Sequence, residues 1–183
     1  MKFENIELNV LHKISHSLVH KRDVASFISE VFDILQHEMG LEHGTLTLRR
    51  ENILIIEASK GLTEEEKKRG QYKLGEGITG KVAESAKSRI IPDISNEPEF
   101  LDRTGARKSA KAAFICAPII SGGEVIGTLS IDLPMAAEKD LKKVLSLLEI
   151  LSNIVADAVA TFRSEIEEKE ILKAENERLR WEL

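Results

Sequence analysis

A glycine-rich turn is the part of this sequence whose residue types and spacing best suit a ligand site. Gly75, Gly77 and Gly80 fall close together, and glycine accepts positive φ without steric cost, so the backbone can reverse sharply here. A short helical pattern at 79–86 and an apolar strand pattern at 90–91 follow the turn. This succession predicts a shelf over a sheet, on which a small ligand would be held.

Polar and basic side chains follow the turn. The guanidinium fork of arginine suits a carboxylate or a phosphate, so Arg103 and Arg107, with Lys108 and Lys111 nearby, favour a small anionic metabolite. The alternative is that these are solvated charges of a surface loop. The candidate ligand-binding residues are Thr79, Asp93, Phe100, Arg103, Arg107 and Cys116.

Cys116 is the only cysteine, so no intramolecular disulfide can form. A redox sensor and a tetrapyrrole attachment point are two functional interpretations. The third is a small apolar residue in a buried strand, and this one is favoured because no basic neighbour in sequence would lower the thiol pKa.

Three histidines, His12, His16 and His20, recur at a spacing of four residues on a predicted helix. Two histidines one turn apart can reach a single metal ion. No cysteine or carboxylate accompanies them at ligand spacing, so an exposed helix face is the preferred interpretation. We predict no metal site and no cofactor.

Motifs of catalysis are scarce. The sequence lacks a nucleophile elbow, a phosphate-binding lysine loop and a zinc-binding His-Glu-x-x-His motif. Residues 75–80 match the glycine spacing of a dinucleotide fingerprint, but the parallel strand–helix–strand unit of about 30 residues that this fingerprint needs is missing. We therefore expect no enzyme activity.

Composition restricts the class of protein. The chain has 183 residues, 42% of them hydrophobic, and a formal net charge of −5. An acidic chain argues against direct nucleic-acid binding, which favours a basic face. No apolar run approaches the roughly 20 residues of a membrane span. We expect a cytoplasmic protein that does not bind membranes.

Periodicity predicts an α+β fold. Two helices come first, the second running from a cap at Asp23 to Gly40, and a long helix ends the chain. Between them lie short helices and about six strands of a mostly antiparallel sheet, with an irregular loop at 93–111. The terminal helices should cover one face of the sheet, and the short helices and the loop should cover the other.

The long helix, predicted from about 136 to 183, carries an apolar stripe wide enough for both the sheet and a partner helix. Beyond Phe162 it thins to a short seam in which Asn176 would set the register of a two-stranded coiled coil. A single solvated helix is the alternative. The predicted dimer contacts are Leu141, Val144, Leu148, Leu151, Val155, Phe162, Leu172, Asn176 and Leu179.

Over residues 5–162 the sequence resembles the GAF domain family, a family of small-molecule sensor modules. The resemblance rests on the glycine turn at 75–80, on Asp93 to Phe100, on Phe114 to Ile119 and on Gly123 to Asp132. Phe100-Leu-Asp-Arg-Thr104 and Phe114-Ile-Cys-Ala-Pro118 are similar to the amino-terminal domain of NifA-like sigma-54-dependent transcriptional activators.

The resemblance implies a regulatory domain, 1–162, that precedes an AAA+ ATPase domain and a helix-turn-helix DNA-binding domain acting on sigma-54 RNA polymerase. Neither domain is in this sequence. Residues 163–183, with their short leucine seam, are expected to be a coiled-coil linker towards the absent AAA+ domain in a homodimer. For some members the resemblance implies a dicarboxylate such as 2-oxoglutarate. The residue set that marks cyclic-nucleotide binders is missing, as is the cysteine pair of methionine-sulfoxide reductases with this fold.

Two alternatives stay open. A partner protein, rather than a metabolite, could act on the domain. The domain could also be a structural dimerisation module whose pocket is filled by Phe100, Phe114 and their neighbours.

Overall fold

The computed structural model describes residues 6–18, 23–107 and 111–181. Its helices are α1 (Ile6–Leu18), α2 (Val24–Met39), α3 (Glu64–Arg69), α4 (Gly77–Ser85) and α5 (Glu138–Trp181), with a short 3₁₀ turn at Ile94–Asn96. Its strands are β1 (His43–Arg50), β2 (Ile53–Lys60), β3 (Gln71–Lys73), β4 (Arg89–Ile91), β5 (Ala112–Ser121) and β6 (Glu124–Pro134).

The six strands form one sheet in the order β3-β2-β1-β6-β5-β4. Every pair is antiparallel. The longest strands, β5 and β6, are joined by a hairpin through Gly122 and Gly123, which both have positive φ. The predicted α+β fold with about six antiparallel strands is confirmed.

Side chains alternate between the two faces of the sheet, as the strand period of two requires. On β5, Ala113 and Ile115 join the large core beneath α1, α2 and α5, whereas Phe114 and Cys116 join a smaller core beneath α4. At Gly44 a Cβ would lie 2.7 Å from the Phe32 ring, so only glycine lets α2 pack this closely on β1. Helices α1, α2 and α5 thus cover one face of the sheet and α4 covers the other, as predicted.

Capping residues define the ends of the helices. Asp23 accepts a hydrogen bond from Ser26 N at the start of α2, and Gly40 ends that helix in the left-handed region at φ 72°. Thr63 and Glu66 form a reciprocal capping box at the start of α3. These signals are local in sequence, which is why these boundaries could be predicted to within a residue or two.

The buried side of α5 packs against the sheet of its own chain. Six of the predicted dimer contacts have relative exposures of 0 to 8% in the single chain: Leu141, Val144, Leu148, Leu151, Val155 and Phe162. A second copy would therefore have to contact another face of the helix. The other three, Leu172, Asn176 and Leu179, lie in the part of α5 beyond the sheet, where every described side chain is exposed.

Helix α5 is also long and apolar enough, by length and composition alone, to cross a membrane. This corrects the expectation that no apolar run approaches that length. Half of the apolar window is buried within the chain, and the core helix of a globular domain has the same properties.

Candidate functional site

A small cavity lies under the loop after the 3₁₀ turn, on the face of the sheet opposite α5. Its lining residues are Thr45, Tyr72, Ile78, Thr79, Phe100, Leu101, Asp102, Arg107, Phe114 and Ser130. The free space for the centre of a water molecule is about 10 Å³, which is close to the minimum that a single water needs. In this conformation the cavity is too small for a metabolite.

Thr45 on β1 and Ser130 on β6 line the cavity and form its polar floor, and a second hydroxyl pair lies two residues further along the same strands, outside the cavity lining. The antiparallel register places Thr45 opposite Ser130 and Thr47 opposite Thr128. The first pair shares a hydrogen bond of 2.6 Å and the second one of 2.7 Å, and all four residues are buried. These paired hydroxyls keep a polar surface inside the fold at little cost, because each has a partner.

Beside this floor lies a buried ion pair. Asp132 on β6 accepts a hydrogen bond from Arg107 Nε, and the carboxylate and guanidinium groups are almost completely buried. Arg107 NH1 donates to Thr104 Oγ1 at 3.2 Å, and the guanidinium carbon lies 5.7 Å from the centre of the Phe100 ring. The arginine thus joins the sheet to the loop that covers the cavity.

Asp132 is incompletely satisfied by these contacts. His43 Nδ1 lies 3.2 Å from Asp132 Oδ2 but lacks hydrogen-bond geometry, and Asp132 Oδ1 is buried without a hydrogen-bond partner among the described residues. An unpaired buried oxygen is costly, so this position has spare capacity to accept a hydrogen bond.

Residues 97–107, here called the covering segment, close the cavity from above. Phe100 contacts Phe114 edge-to-face, with ring centres 5.2 Å apart. The neighbouring Leu101 lies over Gly77, where an added Cβ would approach its Cδ1 to 2.9 Å. Phe100 and Leu101 therefore both border the cavity and limit its volume.

Ionic contacts hold the covering segment to the body of the domain. Glu99 accepts hydrogen bonds from Lys81 Nζ at 2.5 Å and from Arg89 NH1 at 2.6 Å, and Arg103 pairs with Glu76. Hydrogen bonds from Lys81 and Arg89 lower the pKa of the Glu99 carboxyl. Arg69 adds two hydrogen bonds, of 2.7 and 3.2 Å, to the Thr104 carbonyl.

The glycine turn positions α4 and hence Thr79. Gly75 N donates to Gly80 O at 3.0 Å, and Gly75 and Gly77 have φ of 78° and 61°. At Gly80 a Cβ would lie 2.1 Å from the Lys73 carbonyl oxygen. Only glycine therefore allows the start of α4 to lie this close to β3.

Three of the predicted ligand-binding residues, Thr79, Phe100 and Arg107, line the cavity. The others lie elsewhere. Asp93 caps the 3₁₀ turn by accepting hydrogen bonds from Ser95, and Arg103 lies in an outer groove beside Glu76. A role in ligand binding stays a prediction for all of them.

Cys116 is completely buried beneath α4 and is absent from the cavity lining. Burial raises its pKa to about 12, and a hydrogen bond with Thr128 acts in the opposite direction. At neutral pH the thiol is protonated and enclosed, as expected for a packing residue rather than a reactive one.

Within the described part of the chain, no group of three or more histidine, cysteine, aspartate or glutamate residues is arranged to hold a metal ion. His12 and His16 are exposed on α1. His20 and Lys108 lie outside the described residues, and Lys111 is exposed.

The sequence interpretation missed the polar floor and Asp132. The available signal was the alternation of Thr128, Ser130 and Asp132 in an otherwise apolar strand, which indicates a strand with one polar face. The partner residues on β1 could be found only once the register was known.

Comparison with known proteins identifies the family of this chain. The family model of the GAF domain matches residues 21–160. The chain is 37% identical over 177 residues to nitrogen fixation protein AnfA of Azotobacter vinelandii, with 94% of this chain and 33% of that protein covered. VnfA of the same organism is 37% identical over 179 residues, with 94% of this chain and 34% of that protein covered.

A Nif-specific regulatory protein of Azospirillum brasilense is 28% identical over 185 residues, with 98% of this chain and 30% of that protein covered. The chain thus spans about a third of the length of the curated relatives it matches. Among solved structures, the GAF domain of A. aeolicus nlh2, described as being in an inactive state, superposes with a TM-score of 0.80 at 28% identity. That match covers 87% of this chain and 99% of the other.

Proposed function

The chain belongs to the GAF domain family, and on that premise we propose that it is the sensor domain of a NifA-like, sigma-54-dependent transcriptional activator. The observation that carries this proposal is the 37% identity to AnfA and VnfA over 94% of the chain. In a full-length protein of this kind, the domain would control an AAA+ ATPase and a DNA-binding domain that act on sigma-54 RNA polymerase in the cytoplasm.

The proposed ligand is a small anion, with 2-oxoglutarate as the first candidate. Arg107 supports this choice because its guanidinium lines the cavity and would offer a planar fork to a carboxylate. The hydroxyls of Thr45, Thr79 and Ser130 lie on the same lining and would fix the orientation of the remaining polar groups.

Binding would require the covering segment to move, because the cavity that Phe100, Leu101 and Arg107 line has free space of only about 10 Å³. The ligand carboxylate would compete with Asp132 for the guanidinium, which would loosen the contact between the covering segment and β6. A ligand can shift such an equilibrium only through its differential affinity for the open and closed states.

The signal would then cross a single layer of sheet. Phe114 faces the cavity, whereas its neighbours Ala113 and Ile115 on β5 face the core that contains α5. A shift of β5 at Phe114 would therefore change the packing of α5, which continues beyond the domain towards the proposed ATPase.

The second candidate is a structural dimerisation module with no ligand. The small volume of the cavity and the Phe100–Phe114 contact favour it. A protein partner that acts on the covering segment would be consistent with the same geometry.

Thermal unfolding of the chain with increasing 2-oxoglutarate separates these proposals, with cyclic nucleotides as control ligands. A midpoint that rises with ligand concentration indicates a site that binds the native state. We expect Arg107→Lys, which keeps the charge but removes the fork, to abolish the rise, and Arg103→Lys to leave it intact. No rise at any concentration would favour the structural module or a protein partner.

A further inference from the structure

Two buried polar atoms that lack a hydrogen-bond partner lie beside each other next to the cavity. Three such side-chain atoms occur within the described residues, and two of them are His43 Nδ1 and Asp132 Oδ1. The β1–β6 register places His43 directly opposite Asp132, and His43 Nδ1 lies 3.2 Å from Asp132 Oδ2. Buried polar atoms normally have a partner, because an unpaired one is costly, so their adjacency points to a state in which they are used.

The histidine and Arg107 approach the same carboxylate oxygen. Arg107 Nε donates to Asp132 Oδ2, which is also the oxygen nearest to His43 Nδ1. While the guanidinium neutralises the carboxylate, the histidine makes no hydrogen bond through Nδ1. The imidazole is thus a second potential partner for Asp132 that the closed conformation leaves unused.

A ligand carboxylate that takes Arg107 would leave Asp132 as a buried negative charge. Removing the partner of a buried ion is strongly destabilising, so the binding of an anion needs a compensating positive charge. Histidine is the side chain whose ordinary pKa, about 6.5, lies nearest to neutral pH. A proton added to His43 would supply a cation already within 3.2 Å of the carboxylate, and the 20% exposure of its side chain lets the proton arrive from solvent.

We propose that the site takes up one proton for each ligand carboxylate that displaces Asp132 from Arg107, and that His43 is the positioning residue that receives it. Arg107 then neutralises the ligand carboxylate, and the His43 imidazolium donates to Asp132 and neutralises it. The net charge of the buried cluster is zero before and after binding. This inference rests on the proposed anion binding and adds its dependence on pH.

The other titratable groups around His43 have settled charges near neutral pH. Hydrogen bonds at the start of α3 lower the pKa of Glu66, with a smaller contribution from His43, so this carboxylate stays ionised. Burial raises the pKa of Tyr72 to about 12, so the phenol stays protonated. Asp102 accepts hydrogen bonds of 3.3 Å from Arg107 N within the covering segment. Among these groups, His43 is the one placed to change its charge between pH 6 and 8.

Calorimetric titration with 2-oxoglutarate, in buffers of different ionisation enthalpy, counts the protons taken up. At pH 7.5 we expect about one proton per ligand, and affinity that falls by up to about tenfold per pH unit between 7 and 8, because the bound state holds more protons than the free state. The ligand carboxylates stay ionised over this range, so the proton must go to the protein.

Substitutions of His43 identify the group that receives the proton. His43→Gln keeps hydrogen-bonding capacity but cannot become charged, so it should bind more weakly and take up little proton. His43→Lys carries its charge throughout and should restore affinity without proton uptake. His37→Gln is the matched control, since the His37 side chain is 82% exposed on α2, and it should behave like the unmodified chain. Binding without proton uptake in the unmodified chain, or undiminished uptake in His43→Gln, would overturn the proposal.

A second test needs no ligand and therefore separates this inference from the proposed function. Arg107→Gln removes the cation that a ligand would draw away, and NMR of the histidine ring nitrogens follows the protonation of His43. We expect the ring to stay protonated to a higher pH in this variant than in the unmodified chain, by on the order of one pH unit. Arg103→Gln is the control, because its ion pair with Glu76 is partly exposed.

The outcomes of this second test are distinct. An unchanged His43 titration in Arg107→Gln would overturn the proton step, even in a chain that binds 2-oxoglutarate. The expected change in a chain that does not bind 2-oxoglutarate would support the coupling of His43 to Arg107 and count against that ligand alone.

Discussion

Arg107 and Asp132 are the residues on which the closed cavity most depends. The two side chains are almost completely buried and come from the covering segment and from β6. Removing one partner of a buried ion pair leaves an uncompensated charge in a medium of low dielectric constant, which is strongly destabilising. The pair therefore links the closed conformation of the covering segment to the stability of the whole fold.

We expect Arg107→Gln to lower the free energy of unfolding by about 3–5 kcal/mol. Arg103→Gln is the matched control, since Arg103 lies in the same segment but its ion pair with Glu76 is partly exposed, and it should cost less than about 1 kcal/mol. Urea denaturation of both variants measures the difference. Equal losses would show that the buried pair has no special role.

Burial of two acidic groups predicts a loss of stability at high pH. The pKa of Cys116 rises from 9.0 to about 12, and that of Tyr72 from 10.0 to about 12, in both cases mainly through burial. Their protonated forms are favoured in the folded state, so the contribution to stability is complete below pH 9. It is lost as pH rises towards 12, because the unfolded chain releases these protons first.

Cys116→Ala should reduce this alkaline destabilisation, and the slope of unfolding free energy against pH between 9 and 11 measures it.

The same burial predicts that thiol reagents at pH 8 modify Cys116 only after unfolding. Rapid modification of the native chain would contradict the assignment of Cys116 as a packing residue.

At the scale of elements, helix α5 has a buried side and an exposed side, and the exposure of its side chains changes sharply from one residue to the next. Leu151 is 1% exposed, whereas the preceding Ile150 is 45% exposed. We expect Leu151→Ala to lower the free energy of unfolding by about 2–5 kcal/mol, as for large-to-small changes in a core. Ile150→Ala should cost less than about 1 kcal/mol in the monomer.

Denaturation at low protein concentration, where dimers dissociate, makes this comparison. A large loss for Ile150→Ala under those conditions would mean that α5 is rotated from its position in the structure. A loss for Ile150→Ala that appears only at high concentration would instead agree with the outward stripe contacting a second copy.

The elements were predictable because their signals are local. The cap at Asp23, the stop at Gly40 and the hairpin at Gly122 and Gly123 each depend on a few neighbouring residues. Which side of α5 packs on the sheet was less predictable. Its apolar stripe is wide enough to contact a sheet and a partner helix together, and only the packing shows which residues of the stripe face the sheet. Leu141 and Leu148 were therefore assigned to a dimer, although they lie in the core of the chain itself.

The site was predictable only in part, for a related reason. Thr79, Phe100 and Arg107 follow from the glycine turn and the irregular loop, each of which is a continuous stretch of sequence. Thr45 and Ser130 meet only through the β1–β6 register, 85 residues apart, and the volume of the cavity depends on where the covering segment lies.

At the scale of the whole molecule, the structure indicates an uneven distribution of stability. The sheet and its helices enclose the large apolar core, whereas the covering segment is attached mostly by charged groups. The Glu99 side chain is 37% exposed and the Arg103 side chain 44% exposed, so salt can screen their ion pairs. Screening becomes strong as the Debye length falls from about 10 Å at 0.1 M to about 3 Å at 1 M salt.

We therefore expect amide hydrogen exchange in residues 97–107 to accelerate by several-fold between 0.1 and 1 M sodium chloride, because local opening becomes easier. Exchange along β5 and β6 should change little, since those amides open only with the core. Glu99→Gln is the matched variant: it removes the ionic attraction to Lys81 and Arg89, so exchange in the segment should be faster at low salt and respond less to added salt. Unchanged exchange in both the unmodified chain and the variant would mean that Phe100, Leu101 and the buried Arg107–Asp132 pair hold the segment closed. Opening would then have to be driven by a ligand that displaces the buried arginine rather than by weakening the surface charges.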